Sequence, residues 1–227
     1  MLFRSATIKA LYSLLTGKLS YETRHWKDFL TRSKDDLTLP QILKQSGYFT
    51  SFITSSDGEV YYQNLYLKGK FDQILDKTDL RKTNPFVKEF AMGLDDRVLI
   101  GAFEEQLKKG RTRFFTVLFP VSPHHPYEVP ESQFEIVSRA KTDYDRYRNS
   151  LYFADYVIGE IFKLLEKYKL EKNTLFIVLS DHGEAFYQHR YNYLHSLYLY
   201  DENVKTVAFM HNPVLFERPF RFDGISS

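Results

Sequence analysis

The apolar positions along the chain follow two patterns, one with helical spacing and one of short continuous runs. Apolar residues recur at helical spacing over Thr7 to Thr16, and Gly17 follows where a left-handed C-cap belongs. A second short helix is predicted over Leu39 to Ser46, and Gly47 leads from it into an aromatic and β-branched strand over Tyr48 to Thr54. The first part of the chain is therefore predicted to be helices that lead into a strand.

Two later runs are almost continuously apolar, which is typical of strands covered on both faces at the centre of a sheet. They span Arg113 to Phe119 and Thr174 to Leu179. Between them, Tyr144 to Tyr168 carries apolar residues along one face and predicts a long amphipathic helix. With a further strand over Thr206 to Met210, the pattern predicts an α/β fold in which helices flank a central mixed or mostly parallel sheet.

Two other regions have a less regular pattern of apolar positions. Asp57 to Thr83 is predicted to be loop with short elements, and Phe86 to Gly110 to be mostly helical. The chain has 227 residues without an internal repeat or a low-complexity linker, so a single domain over 1–227 is expected.

Composition and charge exclude several classes of protein. Hydrophobic residues make up 43% of the chain, which is enough for a packed core, and the net charge of +2 without a basic run gives no reason to expect a nucleic-acid partner. The absence of Cys excludes disulfides, thiolate metal sites and a Cys nucleophile. No stretch reaches the roughly 18 apolar residues that cross a bilayer, and Met1 to Ser20 lacks the features of a secretory signal.

Candidate chemistry gathers where two predicted strands end. Asp181 and His182 directly follow the second apolar strand, and both are residue types that bind zinc or a similar divalent cation. His124 and His125 follow the first apolar strand in a proline-rich loop, where they could bind a second metal or an anionic oxygen. A turn or helix cap for the first pair, and a solvated surface loop for the second, remain alternatives.

Two further residues are candidates on weaker grounds. His195 lies among aromatic residues and could equally be a core histidine. Thr7 opens the first predicted helix, where it could be a simple N-cap, an alternative that Ser5 shares, or a metal-activated nucleophile.

Five segments occur in a fixed order: Ser5 to Gly17, Thr38 to Tyr48, His124 to Tyr127, Tyr147 to Leu165, and Ser180 to Glu184 followed by His195 and Leu199 to Glu202. In this order they resemble the sulfatase-like part of the alkaline phosphatase superfamily, from about Ser5 to Pro213. The resemblance implies an alkaline-phosphatase-like sheet and a metal-dependent transfer of phosphate or sulfate.

The resemblance also implies a role for each matching residue. The nucleophile falls on Thr7, and Asp181 and His182 match the metal-binding pair, with Thr7 as a further ligand of the metal. His124 and His195 match the histidines that hold substrate oxygens or a second metal, with His125 and His189 as second choices. The implied cofactor is a divalent metal, Zn²⁺ or Mn²⁺ in preference to Ca²⁺ or Mg²⁺.

Departures from the family pattern distinguish between the branches of the family. Sulfatases make formylglycine from a Cys or Ser that precedes a Pro or Ala by two positions and an Arg by four, whereas Lys9 and Leu11 occupy those positions after Thr7. A Thr nucleophile resembles instead the branch of phosphoethanolamine transferases and lipoteichoic acid synthases. The favoured function is therefore a phosphotransferase or phosphoesterase acting on a phosphodiester, including a lipid head group. A sulfatase and a non-catalytic sulfatase-like fragment are the alternatives.

One expectation concerns the region before Thr7. In the family, a strand that precedes the nucleophile helix supplies acidic metal ligands, and this chain has only six residues there. The sequence therefore predicts a domain that lacks this first strand, and the activity of the chain as written depends on that strand. Members of the family usually have their catalytic domain anchored to a membrane and outside the cytoplasm. Membrane contact of this protein is expected only through a missing amino-terminal region.

A substrate head group could be contacted by Lys9, Lys18 and the tyrosines at 61, 62 and 66. These residues could equally be solvated surface and packing residues.

Overall fold

The computed structural model describes residues 7–20, 26–58, 66–195 and 198–221. The helices are α1 Thr7–Thr16, α2 Trp26–Ser33, α3 Leu39–Gln45, α4 Lys77–Thr83, α5 Arg97–Lys108, α6 Asp143–Lys167 and α7 Asp201–Val204, with a 3₁₀ turn at Ser132–Phe134. The strands are β1 Phe49–Thr54, β2 Gln73–Leu75, β3 Glu89–Phe90, β4 Gly93–Leu94, β5 Phe114–Phe119, β6 Phe176–Leu179, β7 Ala185–Phe186, β8 Tyr193–Leu194 and β9 Ala208–His211. Ser5, Tyr61 and Tyr62 lie outside the described residues.

A parallel sheet in the order β2-β1-β5 forms the centre of the fold. β1 and β5 pair over their whole lengths, from Phe49 opposite Phe114 to Thr54 opposite Phe119. Because parallel strands end at the same edge of a sheet, the segments that follow Thr54 and Phe119 leave the fold side by side. The loop that carries the candidate residues His124 and His125 begins at this edge.

Helices cover both faces of this sheet because successive strand residues point to opposite sides. Phe52 of β1 faces a buried cluster with Ile8, Leu11 and Tyr12 of α1. Its neighbour Ile53 faces the opposite cluster with residues of α5. The observed fold is α/β with helices flanking a parallel sheet, as the sequence predicts.

The long helix α6 follows the predicted amphipathic pattern closely. Thr142 caps it by accepting a hydrogen bond from the backbone N–H of Asp145, whose side chain accepts from the Thr142 N–H in return. Its apolar face is buried against α5, β5 and β6, and burial of each large side chain contributes roughly 1.5–3 kcal/mol. The predicted boundaries, Tyr144 and Tyr168, are each one residue from the observed ones.

The prediction of a mostly helical Phe86 to Gly110 is wrong in its first half. The short strands β3 and β4 pair as a hairpin there, and only α5 is helical. Gly93 lies against the backbone of Ser55, where a Cβ would overlap the Ser55 carbonyl oxygen. The backbone N–H of Leu94 donates to this same oxygen at 2.9 Å and holds residues 93–94 as a strand, so α5 begins only at Arg97.

The prediction that both apolar runs are central strands is also wrong. β5 pairs with β1 alone and β6 with β9 alone, in antiparallel register, within the described parts of the chain. Ile177 and Leu179 of β6 are 44% and 45% exposed. A continuous apolar run shows that a strand is apolar on both faces, but it does not show that another layer covers each face.

Among the described residues, no helix is long and apolar enough to cross a membrane.

Candidate metal centre

The loop that follows β6 is shaped by its packing against α7. The backbone N–H of Gly183 donates to the carbonyl oxygen of Asn203 at 2.9 Å. A Cβ on Gly183 would overlap the carbonyl oxygen of Glu202, so only glycine allows this close approach. The contact fixes the backbone between His182 and Glu184, the two side chains that enter the site.

His182, Glu184 and His195 form the centre of the candidate site. The rings of His182 and His195 stack at an interplanar angle of 20° with their centroids 3.8 Å apart. One possible ligand atom from each of the three side chains lies within 4.8 Å of the others. All three side chains are largely buried, with exposed fractions of 13% for His182, 10% for Glu184 and 19% for His195. Histidine nitrogen and carboxylate oxygen are ligands that zinc uses, so this donor set fits a zinc-like cation.

The hydrogen bonds of the histidines determine which ring nitrogen carries a proton. Nδ1 of His182 lies 2.8 Å from the carbonyl oxygen of Gly183, and Nδ1 of His124 lies 2.7 Å from that of His125. A carbonyl oxygen only accepts, so Nδ1 must donate, and in the neutral ring Nε2 then carries the lone pair. Nδ1 of His195 faces Oε2 of Glu184 at 3.1 Å, a pairing that favours the same tautomer. Metal-binding histidines are commonly oriented in this way.

Glu184 joins the two loops of the site. Its Oε1 accepts a hydrogen bond from the hydroxyl of Tyr127 at 3.0 Å, while its Oε2 faces His195. Burial and the negative charge of Glu184 raise the pKa of Tyr127, so the phenol stays protonated and remains a donor. Tyr127 thus fixes one side of the carboxylate and leaves the other side toward the histidine.

His124 approaches this cluster from the loop after β5. Its ring lies edge-on to that of His195 with centroids 6.1 Å apart. Burial, together with the neighbouring His195 and His182, lowers the pKa of His124, although the His125 carbonyl and Glu184 act in the opposite direction. His124 is therefore neutral near pH 7 and offers the lone pair of Nε2.

Asp96 anchors the start of the same loop. Its fully buried carboxylate accepts hydrogen bonds from the backbone N–H groups of Val121 and Ser122, both at 2.8 Å, and from the hydroxyl of Ser55. Burial raises the pKa of Asp96, and these hydrogen bonds partly offset that rise. The carboxylate therefore ties the segment after β1 to the segment after β5.

The sulfatase family model matches residues 3–218 of this chain. The chain belongs to the sulfatase family. Its fold is shared with a protein of the alkaline phosphatase superfamily from Vibrio parahaemolyticus, with a TM-score of 0.72 and 24% identity over 91% of this chain and 48% of that one. The predicted family and the predicted fold are confirmed.

Two further structures have the same fold. The lipoteichoic acid synthase LtaP from Listeria monocytogenes matches with a TM-score of 0.74 and 19% identity over 93% of this chain and 54% of that one. The C-terminal periplasmic domain of EcEptC from Escherichia coli, in complex with Zn, matches with a TM-score of 0.62 and 18% identity over 84% and 54%. The chain spans about half the length of these structures.

The structure brings some of the predicted site residues of this sulfatase-family chain together. Asp181 lies beside His182, with its Oδ2 3.4 Å from His182 Nε2 and its Oδ1 accepting from the His182 backbone N–H. His124 and His195 join the same cluster. Thr7 begins α1 and is half-buried, and no hydrogen bond or ion pair of the described residues joins it to Asp181 or His182. The role of Thr7 as nucleophile and ligand stays a prediction.

The second-choice histidines have other surroundings. His189 is 52% exposed, pairs with Glu202 at 2.7 Å and stacks on Tyr200. His125 packs edge-on against Tyr127 and Tyr193. Neither ring contacts His182 among the ring contacts described.

Glu184, Tyr127 and Asp96 were not predicted from the sequence as candidate site residues. For Glu184 a signal was present, because residues two apart in an extended segment point to the same side, and Glu184 follows His182 by two. Tyr127 and Asp96 act through contacts 57 and 25 residues away along the chain, which no local pattern indicates.

Proposed function

We propose that this sulfatase-family protein is a metal-dependent phosphotransferase or phosphoesterase that acts on a phosphodiester through Thr7. The observation that carries the proposal is the cluster of His182, His195 and Glu184, with neutral His124 beside it. Nδ1 of each of these histidines faces an oxygen, so the rings present Nε2 lone pairs, as metal binding and proton transfer both require.

His182, His195 and Glu184 are the residues proposed to hold the metal, and Asp181 and Thr7 are further ligands implied by the family resemblance. Zinc fits this donor set best, and manganese is the second choice. A bound divalent cation would lower the pKa of the Thr7 hydroxyl and offset the negative charge of the phosphate.

The bond-forming and proton-transfer steps are assigned to the protein's own residues. The Thr7 oxygen forms the new bond to phosphorus while the bond from phosphorus to the leaving oxygen breaks. Neutral His124 takes the hydroxyl proton at Nε2 and returns a proton to the leaving oxygen, which keeps the charge balanced. In an esterase water then takes the phospho-group from Thr7 and releases a phosphomonoester, and in a transferase an acceptor hydroxyl takes the group.

LtaP supports a phospho-group substrate carried by a lipid, since it is a lipoteichoic acid synthase with the same fold. The family name favours a sulfate ester as the second candidate. A protein that keeps the fold without catalysis is the third, and failure to retain any divalent metal with normal folding would favour it.

The deciding experiment measures turnover of bis(p-nitrophenyl) phosphate and p-nitrophenyl sulfate by the purified native protein with zinc or manganese. Its intact mass is compared with the 26.9 kDa of this chain. Thr7→Ala is expected to abolish phosphodiester turnover with an unchanged circular dichroism spectrum, and Thr7→Ser to retain part of it.

Ser5→Ala is the matched control, because Ser5 carries the nearest hydroxyl before Thr7 in the sequence, and it should leave turnover unchanged. A Thr7→Ala protein as active as the parent would overturn the proposal. Sulfate-ester turnover without phosphodiester turnover would favour the sulfatase.

A further inference from the structure

A cavity lies outside the candidate metal centre, between the end of α2 and the segment 66–70. Its volume is about 340 Å³, and it is lined by Leu30, Thr31, Lys34, Tyr66, Lys68 and Lys70. A volume of roughly 300 Å³ or more is typical of sites for small organic ligands. None of the lining residues belongs to the metal centre, so any ligand here binds independently of the proposed catalysis.

Lys70 is the most unusual of these residues, because its side chain carries an ammonium group and yet the residue is only 4% exposed. Nζ donates one described hydrogen bond, to the backbone oxygen of Lys34 at 3.3 Å, and lies 5.1 Å from the centre of the Tyr66 ring. An ammonium has three donors, and a buried charge requires compensation. Burial lowers the pKa of Lys70, while Asp36 and Asp35 raise it in part.

Tyr66 supplies a second buried donor on the same cavity. The residue is 3% exposed, and its hydroxyl has no hydrogen-bond partner within the described parts of the chain. Burial and, to a smaller extent, Asp36 raise the pKa of this hydroxyl, so it remains a protonated donor. Because buried polar groups in native proteins are nearly always hydrogen-bonded, this hydroxyl indicates a missing acceptor.

The charges around the cavity favour an anionic acceptor. Lys34 and Lys68 are exposed at its edge. Asp36 is already engaged by the hydroxyl of Tyr12 and by Nζ of Lys18. Asp35 lies 3.9 Å from Nζ of the exposed Lys34, and its negative charge also acts on Lys70. Among the described residues, three lysines line the cavity, whereas two carboxylates, Asp36 and Asp35, act on Lys70.

We propose that this cavity binds an organic phosphate, with the phosphate oxygens on Lys70 and Tyr66 and the organic substituent beside Leu30 and the Tyr66 ring. One phosphate offers several acceptor oxygens, so it can satisfy both buried donors at once. The cavity is larger than the phosphate group itself needs, and Leu30 gives it an apolar wall for the organic substituent. The phosphate is carried by a free small molecule or by a lipid head group.

The test is calorimetric titration of the full chain with glycerol 1-phosphate, repeated in a His182→Ala background. Saturable binding is expected in both, because the cavity does not involve the metal centre. Lys70→Met should weaken the affinity about tenfold or more, and Tyr66→Phe about threefold to tenfold, which is the usual effect of losing a charged or a neutral hydrogen bond. The matched control Lys109→Met removes an exposed lysine after α5 and should leave the affinity unchanged.

Lys70→Arg guards against loss of folding, because it keeps the charge and is expected to keep most of the affinity. Sedimentation with phosphatidylglycerol vesicles, against phosphatidylcholine vesicles, separates the two sources of phosphate. Lys70-dependent sedimentation identifies a lipid head group, and glycerol phosphate binding without it identifies a free ligand.

Three results would overturn the proposal. They are no saturable binding of either ligand, binding that is indifferent to both Lys70→Met and Tyr66→Phe, and binding that disappears in the His182→Ala background. The last result would place the phosphate at the metal centre. None of them depends on whether the phosphodiester activity is found.

Discussion

The imidazole rings of His182 and His195 are stacked with their centroids 3.8 Å apart, closer than most aromatic pairs in proteins. Nδ1 of each ring faces an oxygen, of the Gly183 carbonyl for His182 and of the Glu184 carboxylate for His195. The pair is therefore arranged to offer Nε2 lone pairs to a cation, and the first two predictions depend on this arrangement.

Replacing either ring should remove the metal. We expect His182→Ala and His195→Ala each to weaken zinc binding by about 100-fold or more, because replacing even an outer-shell partner of a metal ligand costs 10–100-fold. The measurement is bound zinc per chain by mass spectrometry after dialysis, together with competition against a chelator.

His189→Ala is the control for these variants, since its ring is exposed and pairs with Glu202 instead. It should retain zinc. Full zinc retention by both His182→Ala and His195→Ala would show that the cluster is not the metal centre.

The carboxylate of Glu184 should matter through its charge. Glu184→Gln keeps the size of the side chain but removes the charge that faces His195 Nδ1, and we expect zinc affinity to fall about 10–100-fold. Tyr127→Phe removes one hydrogen bond to the same carboxylate and should have a smaller effect in the same direction. Tyr144→Phe, at an exposed tyrosine of α6, should change nothing. If Glu184→Gln binds zinc as tightly as the parent, Glu184 neither binds the metal nor orients His195.

The elements with local signals could be predicted from the sequence. For α1 the apolar spacing and Gly17, whose φ is 68°, gave the observed bounds, and for α6 the apolar stripe gave bounds one residue from the observed ones. Asp181 and His182 were predicted as site residues because they directly follow a strand, and strand ends are where sites form in α/β sheets.

The rest depends on contacts between distant segments. The hairpin of β3 and β4 depends on Gly93 touching Ser55, and the helical pattern around it gave no sign of that contact. The stack of His182 on His195 and the hydrogen bond from Tyr127 to Glu184 arise from tertiary packing, which residue types alone do not fix. Thr7 illustrates the same limit, since its assignment came from family resemblance and not from a contact.

Gly183 is predicted to be essential because of the space available and not because of an unusual backbone angle. In Gly183→Ala the added Cβ would overlap the Glu202 carbonyl oxygen, so the segment from His182 to Glu184 must shift away from α7. We expect a loss of stability of about 1–3 kcal/mol, as in other overpacked sites, together with weaker zinc binding. Urea unfolding and the chelator competition measure the two effects.

The matched control is Gly159→Ala in the middle of α6, where a Cβ would meet nothing within 4 Å. Because Ala is the better helix former, this variant should be more stable by roughly 0.5–1 kcal/mol with unchanged zinc affinity. Equal stability of Gly183→Ala and the parent would show that the loop tolerates the shift.

The last prediction concerns the pH dependence of stability through Asp72. Its carboxylate accepts hydrogen bonds from the backbone N–H and hydroxyl of Thr50, at 2.9 and 3.0 Å, and pairs with Lys44. Burial alone would raise the pKa of Asp72, but the ion pair and the hydrogen bonds outweigh it and the net pKa is lowered. A lowered pKa in the folded state stabilises the protein above the unfolded pKa of about 3.9, and this contribution is lost as the pH falls through the folded value.

We therefore expect Asp72→Asn to lower the free energy of unfolding by about 1 kcal/mol at pH 7, with the difference from the parent constant above about pH 5 and shrinking below about pH 4. Urea unfolding at several pH values between 3 and 7 measures it. Asp35→Asn is the control, since that side chain is 86% exposed and should contribute little at any pH. If the difference in the free energy of unfolding between Asp72→Asn and the parent stayed constant down to pH 3, the charge of Asp72 would not stabilise the start of β1. The shape of the side chain alone would then account for the effect.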